Sequence, residues 1–565
     1  MIGLLKSAVC ALGVVSSVQA LNKDLRIGNG GRTIHDFRRE AVTNPHELDA
    51  RSLAARDVDP ETLYPKQYFD IPIDHFPNKE RYAPHKTGTF KNRYWFDASH
   101  YKPGGPVIIL QSGETNGLGR LVFMQKGILA QLAEATGGIA VVFEHRYYGY
   151  SFPTRYLTTE DLRFLSTEQA LADEAYFAKN VKFPGLEDQD LTSDSVPWIS
   201  YGGSYAGGMS AFLRTEYPDV FWGAISSSGV TKAIWDYWQY FEPAAQYGPP
   251  LAMETQKLFT DMVDNILIGK ADDEDLTQEL KTAFGLPNIT SNADFANQLA
   301  SGVSWWQSLN WDPEVGSPEF YNFAGNISSG KVLYPKTESK RSTAETLLEE
   351  GGYEANQTLV NRLLNYIGFI DRTVVGPCRD EGSSQDECFS NLNAIFYQQT
   401  GQSQAPWRSW SYQYCTEWGY LQTGSGVPKG QMPLVSRTID LNYTSTVCRE
   451  AFGINHPARV ELVNKYGGYG IEHSRLAFVD GQWDPWRPAG PHAFKYGAPH
   501  RKSTTSEPFI LIPRALHHYD ENGRFPNETT PGLPPPTVKK AQKDEREFVQ
   551  AWVDEWHAEK AKQML

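Results

Sequence analysis

Beyond its first twenty residues the sequence has no apolar run long enough to cross a bilayer, so stable membrane insertion is not expected. It has no basic excess either. Lys and Arg number 53 against 67 Asp and Glu, a net charge of −14, and no stretch carries the cation density that phosphate binding needs. Nucleic acid is therefore not an expected partner. Cysteine is scarce, five in 565 residues, and none is spaced with histidines as metal ligands are, so neither metal nor cofactor is expected. No internal repeat is found, and the charged C-terminal residues do not read as a GPI signal.

What is present begins with Lys6, followed by an apolar run from Ser7 to Val18 and the small residues of Val18-Gln19-Ala20. That pattern predicts a secretory signal peptide over residues 1–20. Residues 21–60 are polar and arginine-rich and read as an N-terminal arm or propeptide. Sequons at Asn288, Asn326, Asn356, Asn442 and Asn527 agree with secretion, a vacuolar or lysosomal lumen being the alternative. With Cys10 lost in the leader, Cys378, Cys388, Cys415 and Cys448 form an even set suited to structural disulfides. Three pairings are possible, and proximity in sequence favours Cys378–Cys388 with Cys415–Cys448.

Val107–Gln111, Gly138–Phe143 and Trp198–Ser200 are continuous apolar runs separated by helical patterns over Leu121–Ala135 and Ser166–Val181. Buried strands alternating with helices predict a parallel sheet covered on both faces. From Trp235 to about Glu450 the chain turns helix-prone, aromatic and loop-rich. Strands then resume at Arg475–Val479 and Pro508–Pro513, and an amphipathic helix over about Thr537–Lys562 closes the chain. The expected architecture is an α/β-hydrolase fold in two parts, residues 61–234 and 451–565, around a large, mainly helical cap insertion at 235–450.

At the centre stands Trp198-Ile199-Ser200-Tyr201-Gly202-Gly203-Ser204-Tyr205-Ala206-Gly207-Gly208, a strand that breaks in glycines at a serine and passes at once into a helix. This is the grammar of a nucleophile elbow, with Ala206 in place of the second glycine of G-x-S-x-G. A serine hydroxyl needs a histidine to take its proton and a carboxylate to orient that histidine. Asp484 and His517 follow the next two strand signals in the order such hydrolases use, with Asp480 the competing acid and His518 the neighbouring base. The oxyanion donors are expected from the amide of Tyr205 and from the loop around Gly113 and Glu114. Glu144-His145-Arg146 reads as a charged cluster buried behind the sheet and internally paired.

The elbow Gly202-Gly203-Ser204-Tyr205, Phe143-Glu144-His145-Arg146-Tyr147-Tyr148-Gly149, Phe164 to Ala170, Cys415-Thr416-Glu417 and Gln482-Trp483-Asp484-Pro485-Trp486-Arg487 together resemble the prolyl carboxypeptidase family of serine peptidases. That family also takes in dipeptidyl peptidase II and the fungal acid prolyl endopeptidases. The resemblance implies Ser204 as nucleophile, Asp484 as orienting acid, His517 as base and Trp486 as a wall of a proline pocket. It implies a peptidase acting on peptides or proteins. Glu114 and Glu417 are candidates for holding a peptide's charged amino end if dipeptides are trimmed, or equally for structural hydrogen-bonding carboxylates. An esterase or lipase, or an inactive hydrolase fold that only binds, are the alternatives. Endopeptidase, dipeptidyl peptidase and carboxypeptidase modes, and the oligomeric state, stay open.

Overall fold

The computed structural model describes residues 59–403 and 405–563; the expected leader, and all but the last two residues of the expected arm, lie outside the described residues. Its strands are β1 Gln67–Pro72, β2 Thr89–Asp97, β3 Val107–Gln111, β4 Ile139–Phe143, β5 Trp198–Gly203, β6 Gly223–Ser227, β7 Ile234–Asp236, β8 Gly419–Leu421, β9 Leu476–Gly481 and β10 Phe509–Ile512. Eight form one sheet in the order β1-β2-β4-β3-β5-β6-β9-β10. The β1/β2 and β2/β4 pairs are antiparallel and the remaining pairs parallel. The parallel strands β3, β4, β6 and β9 are buried along their whole length, as their continuous apolar or small-residue runs require.

Helices cover both faces. The main ones beside the sheet are α1 Ile128–Thr136, α2 Thr167–Asn180 and α3 Tyr205–Glu216. Those that follow in the insertion are α4 Pro250–Leu267, α5 Glu319–Ser328, α6 Gln357–Ile370 and α7 Trp407–Gln413, and α8 Pro536–Gln563 ends the described chain. Successive residues of a strand point to opposite faces, and β5 shows both. Ser200 bonds Ser210 of α3, while the Tyr201 hydroxyl donates to Asp520, whose carbonyl accepts from Gln542 of α8. On that second face α8 packs against α1 and its Trp552 lies against Gly223.

The expected single helix over Leu121–Ala135 is two, Leu121–Gln125 and Ile128–Thr136. The break at Gly127 has a cause in the tertiary structure. The loop after β10 presses on this point, where the N–H of Ile128 donates to the carbonyl of Glu521 at 3.0 Å. A Cβ at residue 127 would stand 2.6 Å from that same oxygen.

Between β6 and β9 the chain leaves the sheet. Its outgoing and returning ends are tied where β7 pairs in parallel with β8. Within this insertion α4, α5 and α6 pack on one another, and disulfides join Cys378 to Cys388 and Cys415 to Cys448. The architecture is an α/β-hydrolase fold carrying a mainly helical insertion.

Candidate active site

Ser204 stands between the last residue of β5 and the first of α3 with φ +60° and ψ −125°. A non-glycine residue pays a steric cost there, and strain of this kind collects at functional turns. The flanking glycines are required by contact. A Cβ on Gly202 would lie 2.2 Å from the carbonyl oxygen of Ala206, and one on Gly203 would lie 2.1 Å from Oε1 of Glu521. The serine is 5 % exposed, its N–H donating to the carbonyl of Ser227 at 2.9 Å.

Asp484 follows β9 and His517 follows β10, on neighbouring strands. Nδ1 of His517 lies 3.0 and 2.9 Å from the two oxygens of Asp484, so the carboxylate holds the tautomer with its proton on Nδ1. Nε2 of His517 is buried and has no hydrogen-bond partner. Burial strips water from Asp484 and would raise its pKa. The paired imidazole, the N–H of Trp486 and the Ser228 hydroxyl outweigh that, and the carboxyl stays below its ordinary range. Burial also dominates at His517 and, with His518 beside it, keeps its pKa below the ordinary imidazole value despite Asp484.

The competing groups have other partners. Oδ2 of Asp480 pairs with Nδ1 of His492 at 2.6 Å, and the His492 ring is stacked on Phe509. His518 pairs with Glu521 at 2.9 Å, which raises the histidine's pKa against its burial. The N–H of His518 donates to Oγ of Ser228 at 2.9 Å.

Trp486 is 2 % exposed and donates its indole N–H to Gln307 at 2.8 Å. Its ring stacks on Tyr237, meets Tyr240 and Tyr420 at their edges, and lies 6.4 Å from the His517 ring. Tyr205 occupies the first position of α3, where a backbone N–H has no acceptor within the helix. Gly113 has φ +71°, and a Cβ there would touch Ala206 at 3.4 Å. Glu114 has one buried oxygen without a partner, and burial pushes its carboxyl up to about 7.

Glu417 has the bonding of a structural carboxylate. It is buried, one oxygen taking a hydrogen bond from Arg81 at 2.6 Å and the other accepting from the N–H and hydroxyl of Thr167. Both of its oxygens are thus committed inside the protein. The charged cluster is buried as expected, but its two charged side chains pair outside it. Glu144 holds Arg93, and Arg146 holds Asp173. Of the sequons, Asn288, Asn356, Asn442 and Asn527 are exposed, whereas Asn326 is half-buried and donates Nδ2 to the carbonyl of Asn322.

Sequence reasoning missed Ser228, which touches both Asp484 and the histidine loop, and the Tyr237, Tyr240, Tyr420 and Gln307 surround of Trp486. The run Ser226-Ser227-Ser228-Gly229 at a strand end was the available signal for the first. The surround of Trp486 comes from three separate segments, around Tyr237 and Tyr240, Gln307 and Tyr420, and left none. Among the described residues no group of three or more His, Cys, Asp or Glu side chains is placed to hold a metal ion.

The chain is similar to known proteins over most of its length. It is 52 % identical over 97 % of its residues to 74 % of a probable extracellular serine carboxypeptidase of Arthroderma benhamiae. It is 27 % identical to the thymus-specific serine protease of Mus musculus, over 82 % of this chain and 84 % of that one. With the lysosomal Pro-X carboxypeptidase of Pongo abelii it shares 25 % identity over 88 % of this chain and 90 % of the other. The extracellular location in the first of these names agrees with the expected leader, and no described helix is long and apolar enough to cross a membrane. The family profile described as serine carboxypeptidase S28 matches residues 72–309 and 353–532, and the chain belongs to that family of serine peptidases.

Proposed function

We propose that this secreted peptidase hydrolyses peptide bonds on the carboxyl side of proline through an acyl-enzyme, with Ser204 as nucleophile, His517 as base and Asp484 as orienting acid. The observation that carries the reading is that the strained corner of Ser204 is tied to the His517–Asp484 pair: its N–H bonds the carbonyl of Ser227, and the next residue, Ser228, bonds Asp484 and the N–H of His518. The first step joins Oγ of Ser204 to the scissile carbonyl carbon as its proton passes to Nε2 of His517. The C–N bond then breaks, and the same proton leaves on the departing amine. Water attacks the acyl-enzyme, gives a proton to His517, and its oxygen stays with the acid product as Ser204 is restored.

The tetrahedral oxygen needs two donors, and the amides of Tyr205 and Gly113 are our candidates. The amide of Glu114 is turned to its own carboxyl, which favours Gly113 for the second. Trp486, backed by Tyr237, Tyr240 and Tyr420, supplies an aromatic surface suited to a flat pyrrolidine ring. The family description and the printed name of the Pongo abelii relative favour release of the C-terminal residue after proline. Mass spectrometry of products from a mixed peptide library tests this. Cuts after proline that free one C-terminal residue are expected. Cuts that ignore proline would remove the specificity, and internal cuts would remove the carboxypeptidase mode.

A further inference from the structure

His145, which the proposed mechanism does not use, is buried and lies directly beside the side chain of Tyr205. The direction of every hydrogen bond around it follows from one carbonyl. Nδ1 of His145 lies 2.7 Å from the carbonyl oxygen of Arg146, which only accepts, so the imidazole proton is on Nδ1. The neutral ring then accepts at Nε2 from the hydroxyl of Tyr205 at 2.9 Å. The phenol oxygen in turn accepts from Nε2 of Gln413 at 2.8 Å, and the other end of that amide accepts from Tyr148. Trp410 and Trp418 meet the Tyr205 ring at 5.5 and 4.9 Å and close its remaining sides.

We propose that His145 and Gln413 are positioning residues for the oxyanion hole: they clamp the side chain of Tyr205 so that its backbone N–H is aimed at the tetrahedral oxygen. Because Gln413 lies on α7, the clamp also couples the helical insertion to the residue after the nucleophile. The inference rests on the reading of Tyr205 as an oxyanion donor.

A directional array of this kind fails when its acceptor is protonated. Imidazolium has no acceptor to offer, and the Tyr205 hydroxyl would be left buried with no place to donate. Arg146 and Asp173 are the charged groups acting on His145, while Glu114, Glu174 and Glu417 act on Tyr205. Burial is the largest influence on both. It pushes the His145 imidazole down to about 4 and the Tyr205 phenol well above its ordinary value, so the array keeps its form through weakly acidic solution.

The test compares His145→Leu, His145→Gln and Tyr205→Phe for kcat, KM, inhibition by a peptide boronate that forms a tetrahedral adduct, and the pH profile of kcat. His145→Leu should lower kcat by about ten- to a hundredfold, short of the full loss of an oxyanion donor, with KM within about twofold. Its affinity for the boronate should fall in step with kcat. His145→Gln keeps an acceptor for the phenol but does not titrate. It should recover most of the rate, and its acid limb should fall with a one-proton slope where the native profile steepens towards two. In a Tyr205→Phe background, His145→Leu should add little further loss.

Losses that add independently, a change confined to KM, or an unaltered acid slope in His145→Gln would each overturn the inference. If His145→Leu does not fold, His145→Gln and Tyr205→Phe still decide it. Ser204→Ala, measured alongside, separates the two levels. Retained turnover there sinks the catalytic reading itself. An inactive Ser204→Ala beside unaffected His145 variants sinks only the clamp.

Discussion

Two aspartate–histidine pairs stand at the carboxyl end of β9, four residues apart in their acids, and only one belongs to the candidate active site. Asp480 with His492 and Asp484 with His517 are both buried, both bonded through Nδ1, and both leave Nε2 without a partner. Their surroundings differ. His492 is stacked face to face on Phe509, with Phe494 at 5.7 Å beside it. Asp480 also keeps one oxygen unpaired, whereas Asp484 is held by His517, the amide of Trp486 and Ser228. An acid–histidine pair is thus not a catalytic signature. What distinguishes the two is the hold on the acid, with His517, Trp486 and Ser228 on Asp484 against His492 on Asp480.

The most severe way to break this contrast is to remove each histidine. His517→Ala should lower kcat by about 10⁴- to 10⁶-fold and abolish fluorophosphonate labelling, while His492→Ala should lose thermal stability but label normally per folded molecule. A labelled His517→Ala, or a folded His492→Ala that fails to label, would exchange the two assignments.

The acids give the next comparison. Asp484→Asn should lower kcat by about 10⁴-fold by favouring the wrong tautomer of His517, and Asp480→Asn should stay within about tenfold of the native rate. Steady-state kinetics on the two purified variants, checked for folding by circular dichroism, reads this directly. Equal losses would mean that Asp480 supports His517 through a route other than contact.

Trp486 lies within the better-held loop, and its removal should act on selectivity. Trp486→Ala should lower kcat/KM for proline substrates about tenfold more than for alanine ones. Parallel losses would take the indole out of the specificity pocket and leave it a structural prop for Tyr237 and His517.

The gentlest test is pH. Desolvation holds the His517 pKa below the ordinary imidazole value, and Asp484 opposes that only in part. The base must be neutral to accept a proton, so a lowered pKa leaves it competent further into acid. The acid limb of kcat/KM should therefore reach half-maximum below pH ~6.5. A half-point at or above that value would show that the ion pair with Asp484, not burial, governs the base.

Much of the sheet was legible from local pattern. The apolar runs of β3 and β4 announce strands because both their faces are buried, and the glycines around Ser204 announce a turn that no Cβ would permit. Helix ends were readable where capping is local, as at Ser166, whose hydroxyl receives the N–H of Gln169. What local pattern did not show was decided across long sequence distances. The helix break at Gly127 comes from the backbone of Glu521, and the burial of Glu417 comes from Arg81 and Thr167.

The sequence by itself determined the alternation of buried strands with helices, the sharp serine corner and the set of side chains able to do acyl-transfer chemistry. These depend on backbone sterics and on the spacing of apolar residues along a short stretch of chain. Only the tertiary structure decided which acid faces which histidine, and that Nε2 of His145 reaches Tyr205. Partner choice among buried polar groups is set by the packing of separate strands and loops, 12 and 33 residues apart for the two acid–histidine pairs and 60 for His145 with Tyr205. Each such group must find a partner in the place where the fold leaves it.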